Sequence, residues 1–300
     1  MILITGAAGF IGSHIVSSLA AQHGEFMHCM DIADMGHLNR FKTCPMNIDI
    51  TDVAAMDDAV KYFDARHVEG CIHLAAVASP PIAKRDPARA WATNVQGTHN
   101  VLELCRRIGC KRFVFFSSAH VYGISPKYMP TDEKHPLALH DIYTTTKIMG
   151  EQLCQLFYEN SGLSYCTLRL WNAYGPGQNK DYFIGAKLAQ AKAGKLTLRN
   201  EHVTKDWIHV DDVVRAALMA LRSNYVGPLN VGTGIETSLG DIAGHLASAF
   251  GVEVERENVP DEGPSRMQCD WGRIKNTLGW EPTRSFLHGL DELIREAKAA

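Results

Sequence analysis

The chain has 300 residues, and its 30 Lys and Arg against 33 Asp and Glu give a formal charge of −3. That near balance argues against nucleic acid or an anionic membrane as the main partner, while leaving room for a small basic phosphate pocket. With 46% hydrophobic and 21% charged residues disorder is excluded, and no apolar run approaches the roughly 18–20 residues of a membrane span. The opening MILITGAAGFIGSH lacks the basic n-region and cleavage site of a signal peptide, so a cytoplasmic enzyme is expected.

In chain order, residues 2–5 read as a strand, followed by a Gly-rich turn and a helix to about Ala21. Residues 26–30 form a second predicted strand, 53–63 a helix, 71–75 a third apolar run and 88–108 one long amphipathic helix. Residues 113–117 are an almost unbroken apolar strand, as expected where both faces of a sheet are covered. A helix over 142–160 and a strand over 164–171 follow. This alternation predicts an α/β Rossmann fold with a doubly wound parallel sheet. After Asn172 the texture changes: AYGPGQNKDY is rich in turn residues, and shorter elements are spaced less regularly. Strands at 229–231 and 252–256 and helices at 239–250 and 286–297 suggest a smaller mixed α/β domain. The expected division is 1–171 for cofactor and catalysis and 172–300 for substrate, with 206–222 packing back on the first domain.

Eight cysteines occur without any CxxC pair, most of them in apolar runs such as MHCM and GCIHL, so they read as reduced, buried thiols. None of the 14 histidines forms an HExxH motif, and no metal site is expected.

Two local patterns carry chemistry. Thr5-Gly6-Ala7-Ala8-Gly9-Phe10-Ile11-Gly12 follows a strand and opens a helix, with glycines spaced GxxGxxG. Gly6 permits a tight turn, Gly9 lets a pyrophosphate approach the backbone, and Gly12 lets helix and sheet pack closely. Phe10 and Ile11 complete the loop, whose free N–H groups face the phosphates. Asp31, 19 residues after Gly12, would accept hydrogen bonds from ribose hydroxyls and repel a 2′-phosphate, favouring NAD over NADP. Asp49 and Ile50 could reach the adenine; an Asp in an ordinary turn explains the same pattern. The second pattern is Tyr143-Thr144-Thr145-Thr146-Lys147, which puts phenol and ammonium on one helix face. A tyrosine acting as acid/base needs a pKa below its free value of about 10, and a neighbouring cation supplies that. Ser117-Ser118 ends the strand before this helix, at the edge where doubly wound sheets bind ligands.

Together with HLAAVAS at 73–79, NVQGTHNVLELC at 94–105, FFSSAHVYG at 115–123, LRLWNAYGPGQ at 168–178, DWIHVDDVVRA at 206–216, NVGTG at 230–234 and LGWEP at 278–282, these motifs run through the chain in order. The sequence resembles the extended short-chain dehydrogenase/reductases, in their NAD-dependent sugar-nucleotide epimerase/dehydratase branch. The resemblance implies Tyr143 as the acid/base, Lys147 as the group that lowers its pKa, and Ser118 as the hydroxyl that orients the substrate oxygen. It also implies cofactor contacts from Leu74, Ala75, Ala76, Asn94 and Ser117, substrate contacts from Ser118 and Asn172, and a homodimer paired through helices 88–108 and 142–160.

Related dehydratases carry Asp-Glu after the catalytic hydroxyl, decarboxylating members a Glu at the second position, and deoxyhexose epimerase-reductases a Cys at the first. This chain has Ala119-His120. What remains implies C4 epimerisation of a UDP-sugar through a transient 4-keto sugar, or a simple NAD-dependent dehydrogenase; a non-catalytic NAD sensor is the third alternative. His120 has two readings, a proton donor beside the site or a residue that only fills space near the substrate; the passive one is expected, since the triad chemistry needs no further group. Lys205 stands where such enzymes usually place an Arg, and Arg266 in Gly263-Pro264-Ser265-Arg266 resembles the phosphate-binding Arg segment. These departures leave room for a non-nucleotide substrate. The Asp residues of His209-Val210-Asp211-Asp212 are expected to cap a helix starting near Val213.

Overall fold

A computed structural model of the protein describes residues 1–23, 26–63, 67–257, 259 and 264–299. In chain order the elements are β1 (Ile2–Thr5), α1 (Phe10–His23), β2 (Met27–Asp31), β3 (Thr43–Asn47), α2 (Val53–Phe63), β4 (Gly70–His73), α3 (Pro80–Arg85), α4 (Pro87–Trp91), α5 (Thr98–Arg107), β5 (Arg112–Ser118), α6 (Ile142–Ser161) and β6 (Ser164–Leu170). There follow β7 (Asn172–Tyr174), α7 (Phe183–Lys192), β8 (Leu196–Arg199), β9 (Thr204–His209), α8 (Val210–Arg222), β10 (Gly227–Val231), β11 (Glu236–Ser238), α9 (Leu239–Phe250), β12 (Val254–Glu257), α10 (Gly272–Leu278) and α11 (Phe286–Ala299). Among the described residues no helix is long and apolar enough to cross a membrane.

By contacts the chain falls into two compact units that interleave in sequence: residues 1–121, 137–169 and 214–229, and residues 122–136, 170–213 and 230–300. The seven-stranded sheet runs β10-β6-β5-β4-β1-β2-β3. β1 pairs in parallel with both β2 and β4, and β4 in parallel with β5. This is the expected Rossmann-like parallel sheet. Every residue of β1, β4 and β5 is buried, which explains why their sequences read as unbroken apolar runs. The first core gathers Leu3, Met30, Phe63, Leu102, Phe113 and Phe157. At the start of β5 the buried Arg112 spends its guanidinium on Ala220 O, Ser164 Oγ and Ser223 Oγ, at 2.9–3.0 Å.

The long helix expected over 88–108 is interrupted. α4 ends at Trp91, residues 92–97 form a π-helical turn, and α5 begins at Thr98. Gly97 faces Ile50 so closely that a Cβ would stand 2.6 Å from the Ile50 Cδ1. β3 also escaped the periodicity reading: it is an edge strand with a Pro at its centre, where a missing N–H is tolerated.

In the second unit β9 is central, parallel to β7 and antiparallel to β11, and β8 pairs in parallel with β12. Its core gathers Tyr174, Trp207, Ile242, Leu246, Leu290 and Leu293. α8 begins at Val210, three residues earlier than expected. Rather than capping that helix, the Asp212 carboxylate accepts from Thr283 N, Thr283 Oγ1 and Arg284 N at 2.7–3.0 Å, fastening the segment before α11.

Candidate active site

The glycine loop lies between β1 and α1. At Gly6, φ is +69°, and a Cβ there would stand 2.6 Å from Ala75 N. A Cβ on Gly12 would run into the Gly6 carbonyl. A Cβ on Gly9 would meet, among the described residues, only Gly6 O at 3.2 Å, so the loop there is bare backbone. This is the form that suits a pyrophosphate, with N–H groups at a helix start and no side chain in the way. The Asp31 carboxylate stands beside the loop: Oδ2 accepts from Ala8 N and Oδ1 from Ala33 N, both at 2.9 Å. Phe10 packs edge-on to His14, and Ile11 is half-buried. Leu74 donates its N–H to Thr5 O, and Ala75 N donates to Thr5 Oγ1 at 3.3 Å. Ala76 follows, half-buried. Asp49 Oδ1 accepts from Thr51 N and Oγ1 at 2.8 Å, an Asx turn just before α2, whereas the Ile50 side chain is in the core.

Tyr143 and Lys147 lie one turn apart on α6. Asp141 starts that helix by accepting from Thr144 N at 2.7 Å, and Gly162 ends it in the left-handed conformation. Both side chains are buried, as is Ser118 at the end of β5. Lys147 Nζ donates to Phe116 O at 2.8 Å and stands 5.9 Å from the centre of the Tyr143 ring. Burial pulls the Lys147 pKa down to about 8, against the Glu151 charge, which raises it. At neutral pH the ammonium is therefore largely charged, beside a phenol that it can help to ionise. Ser118 Oγ accepts from His120 N at 3.2 Å, which leaves its own hydrogen to donate.

Beneath these groups lies a layer the sequence reading missed. Ser117 is turned inward and donates to Glu151 Oε1 at 2.6 Å. Glu151 also takes a two-pronged grip from Arg169, at 3.0 and 2.7 Å, with both side chains buried. The signal was present: Glu151 lies four residues beyond Lys147, on the same helix face. Asn94 is committed inside the protein. Its Oδ1 accepts from Val77 N at 2.7 Å, and its Nδ2 donates to Val77 O and Thr146 Oγ1 at 3.1 and 2.9 Å. Thr146 Oγ1 donates in turn to Tyr143 O. Thus Asn94 ties the segment after β4 to the helix that bears Tyr143 and Lys147.

In the second unit Asn172 Nδ2 donates to Asp206 O at 3.1 Å. Lys205 Nζ donates to Pro264 O, and the exposed Arg266 pairs with the largely buried Glu236. Gly263 of the Arg266 segment lies outside the described residues. Asp206 is buried under four donors, Thr233 N and Oγ1, Gly234 N and Cys269 N, at 2.6–3.0 Å. A cavity of about 570 Å³ in this unit is lined by Phe183, Lys187, Thr197, Arg199, Val203 and Lys205, among others. The eight cysteines are free thiols, seven of them buried.

The model of the NAD dependent epimerase/dehydratase family matches residues 2–232. A Methanocaldococcus jannaschii protein named as a candidate UDP-glucose 4-epimerase is 32% identical, the match covering 99% of this chain and 98% of that one. UDP-glucuronic acid decarboxylase 6 of Arabidopsis thaliana is 29% identical over 96% of this chain and 86% of its own. The crystal structure of Thermotoga maritima UDP-glucose 4-epimerase with UDP-glucose superposes with a TM-score of 0.93 at 30% identity, covering 99% of this chain and 98% of that one. The glycine loop, the Tyr143–Lys147 helix and these likenesses agree on one conclusion: the chain belongs to the NAD-dependent epimerase/dehydratase family.

Proposed function

We propose that the protein is an NAD-dependent epimerase that inverts C4 of a nucleotide-sugar, a UDP-sugar in first place. The observation that carries this reading is the pair after Ser118. Ala119 and His120 provide no carboxylate for eliminating water or assisting decarboxylation, so Tyr143, Lys147 and Ser118 are the chemical equipment. The glycine loop and Asp31 fit NAD, with Gly6, Gly9, Phe10, Ile11 and Gly12 around the pyrophosphate. Asp49, Ile50, Leu74, Ala75, Ala76, Asn94 and Ser117 shape the rest of its site, Asn94 and Ser117 through the bonds already described. When bound, NAD supplies a reversible acceptor for the hydrogen on the sugar carbon.

In this reading Ser118 donates its hydrogen to the sugar oxygen and holds it against Tyr143. Tyr143 takes the hydroxyl proton as C4 is oxidised and returns it after the sugar has turned over. Lys147 favours the phenolate by its charge and steadies the nicotinamide ribose. Asn172, Lys205 and Arg266 are proposed to hold the nucleotide diphosphate; Lys205 offers a point charge in place of a bidentate fork. We also propose a homodimer paired through α5 and α6. The test is to incubate the NAD-loaded protein with UDP-glucose and, separately, UDP-galactose. The expected result is interconversion of the two with no net NADH. Stoichiometric NADH would show a dehydrogenase, and loss of the elements of water from the hexose a dehydratase; carbon dioxide released from UDP-glucuronic acid, supplied in a third reaction, would show a decarboxylase.

A further inference from the structure

Three residues beside Tyr143 have no part in the chemistry above: His120, His140 and Asp141. The His120 ring meets the Tyr143 ring edge to face, at 6.0 Å between centres and 84° between planes. Behind it the His140 ring lies stacked on His120, 6.2 Å away and tilted by only 22°. His140 is anchored in turn, its Nε2 standing 3.3 Å from both Asp141 Oδ2 and Thr144 Oγ1. Asp141 is the residue whose other oxygen caps α6. Tyr143 also packs in a small apolar cluster with Val77, Ala83 and Ala90. The phenol thus meets both apolar neighbours and a two-ring stack whose base is the start of its own helix.

We propose that the His120–His140 stack is a positioning element for Tyr143, fixing the phenol in the orientation from which it serves as acid/base. The geometry favours packing over proton transfer. The Nδ1 of His140 is buried with no hydrogen-bond partner among the described residues, whereas a relay would have to continue through it. His120 is anchored from both ends of its residue, its ring held by the stack and its N–H bound to Ser118 Oγ. A displaced His120 therefore disturbs both the hydroxyl and the phenol that face the substrate. Small misplacements are costly in such sites, a 1 Å error costing on the order of a hundredfold in rate.

The proposal rests on Tyr143 being the acid/base, but not on which sugar is turned over. The test compares His120→Ala, His120→Phe, His140→Ala and the double Ala variant, all loaded with NAD. His120→Ala is expected to lower kcat at least about fivefold with KM for the UDP-sugar within about twofold of wild type. His120→Phe, which keeps the flat ring and discards its nitrogens, should restore most of that loss. The His140→Ala loss should largely disappear when His120 is already Ala, since both act through one stack. A smaller kcat loss in His120→Ala, a Phe variant as impaired as the Ala variant, or additive losses would overturn the proposal. A second measurement needs no sugar: the carbon-13 resonance of Tyr143 Cζ, assigned with Tyr143→Phe. It should move in His120→Ala and return towards its wild-type position in His120→Phe; an unmoved resonance would refute the proposal. If the wild type turns over no UDP-sugar, the functional reading fails while this measurement still decides the positioning role.

Discussion

His73 Nε2 lies 3.0 Å from Thr98 Oγ1, and that hydroxyl already donates its hydrogen to Asn94 O at 2.6 Å. The ring must therefore be the donor, which leaves Nδ1 to accept from Thr5 Oγ1 at 2.6 Å. Thr5 in turn accepts from Ala75 N. One neutral imidazole thus joins the strand before the glycine loop to the residues that hold the catalytic helix. Complete burial, with the Lys147 charge adding to it, pushes the His73 pKa down to about 3. Because that value lies below the unfolded one of about 6.5, the unfolded chain binds the extra proton first. The contribution is complete above about pH 6.5 and is lost as pH falls towards 3, by up to about 1.4 kcal/mol per unit. Urea unfolding of wild type and His73→Asn across this range should show a shallower acid loss in the variant.

The Lys147 pKa of about 8 sets an alkaline limit. Above it the ammonium loses its charge and the support it gives the phenolate, so kcat should fall through an alkaline limb near pH 8. Glu151 raises this pKa, so Glu151→Gln should move the limb to lower pH. A pH–rate profile of the two proteins checks the direction; an unmoved limb would assign it to another group.

Glu151 and Arg169 form a bidentate pair with 7% and 5% of their side chains exposed. Removing one partner leaves a buried charge uncompensated, and Glu151→Ala is expected to destabilise the fold by about 3–5 kcal/mol. Replacing both with apolar residues should cost less than Glu151→Ala alone. Denaturant midpoints at constant m-value will separate the two.

Gly150 lies on α6, three residues beyond Lys147, where any Cβ would strike the Phe115 ring. Helix propensity favours Ala over Gly by about 1 kcal/mol, but the ring sits in a filled core and overpacking costs about 1–3 kcal/mol. The clash should win. Gly150→Ala is expected to lower the melting temperature and, because Phe115 lies 5.3 Å below the Lys147 ammonium, to reduce kcat as well.

Arg266 is exposed, but the Glu236 carboxylate that it pairs with is largely buried. Glu236 keeps a second donor in Thr204 Oγ1, so Arg266→Ala should lower the denaturant midpoint only slightly. If Arg266 serves the diphosphate, KM for the UDP-sugar rises severalfold in the same variant; an unchanged KM would remove it from the substrate site.

The legible part of the molecule was the part governed by local rules. β1, β4 and β5 are buried on both faces and announce themselves as apolar runs, and the glycines form a short local pattern in which Gly9 and Gly12 face Gly6, although Gly6 itself faces the distant Ala75. The Tyr143–Lys147 pair was visible because four residues make one helical turn. What escaped depends on distant partners. Asn94 reads as one polar residue in an amphipathic helix, and only the fold brings it to Val77 and Thr146. Likewise nothing in Asp211-Asp212 tells that Asp212 holds residues 283 and 284 rather than its own helix. Nor does the chain mark 122–136 as belonging with residues remote in sequence.

The π-helical turn at 92–97 has a consequence for how this segment can vary. Such a turn carries one residue more than an α-helical turn, so it takes up an extra residue while α5 keeps its phase with α4. Thr98 stays on His73, and Val101, Leu102 and Cys105 stay in the core. Loss of one residue within the turn would straighten the helix and leave these four in place. A further inserted residue would rotate everything downstream by roughly 100° and carry them all away from their partners.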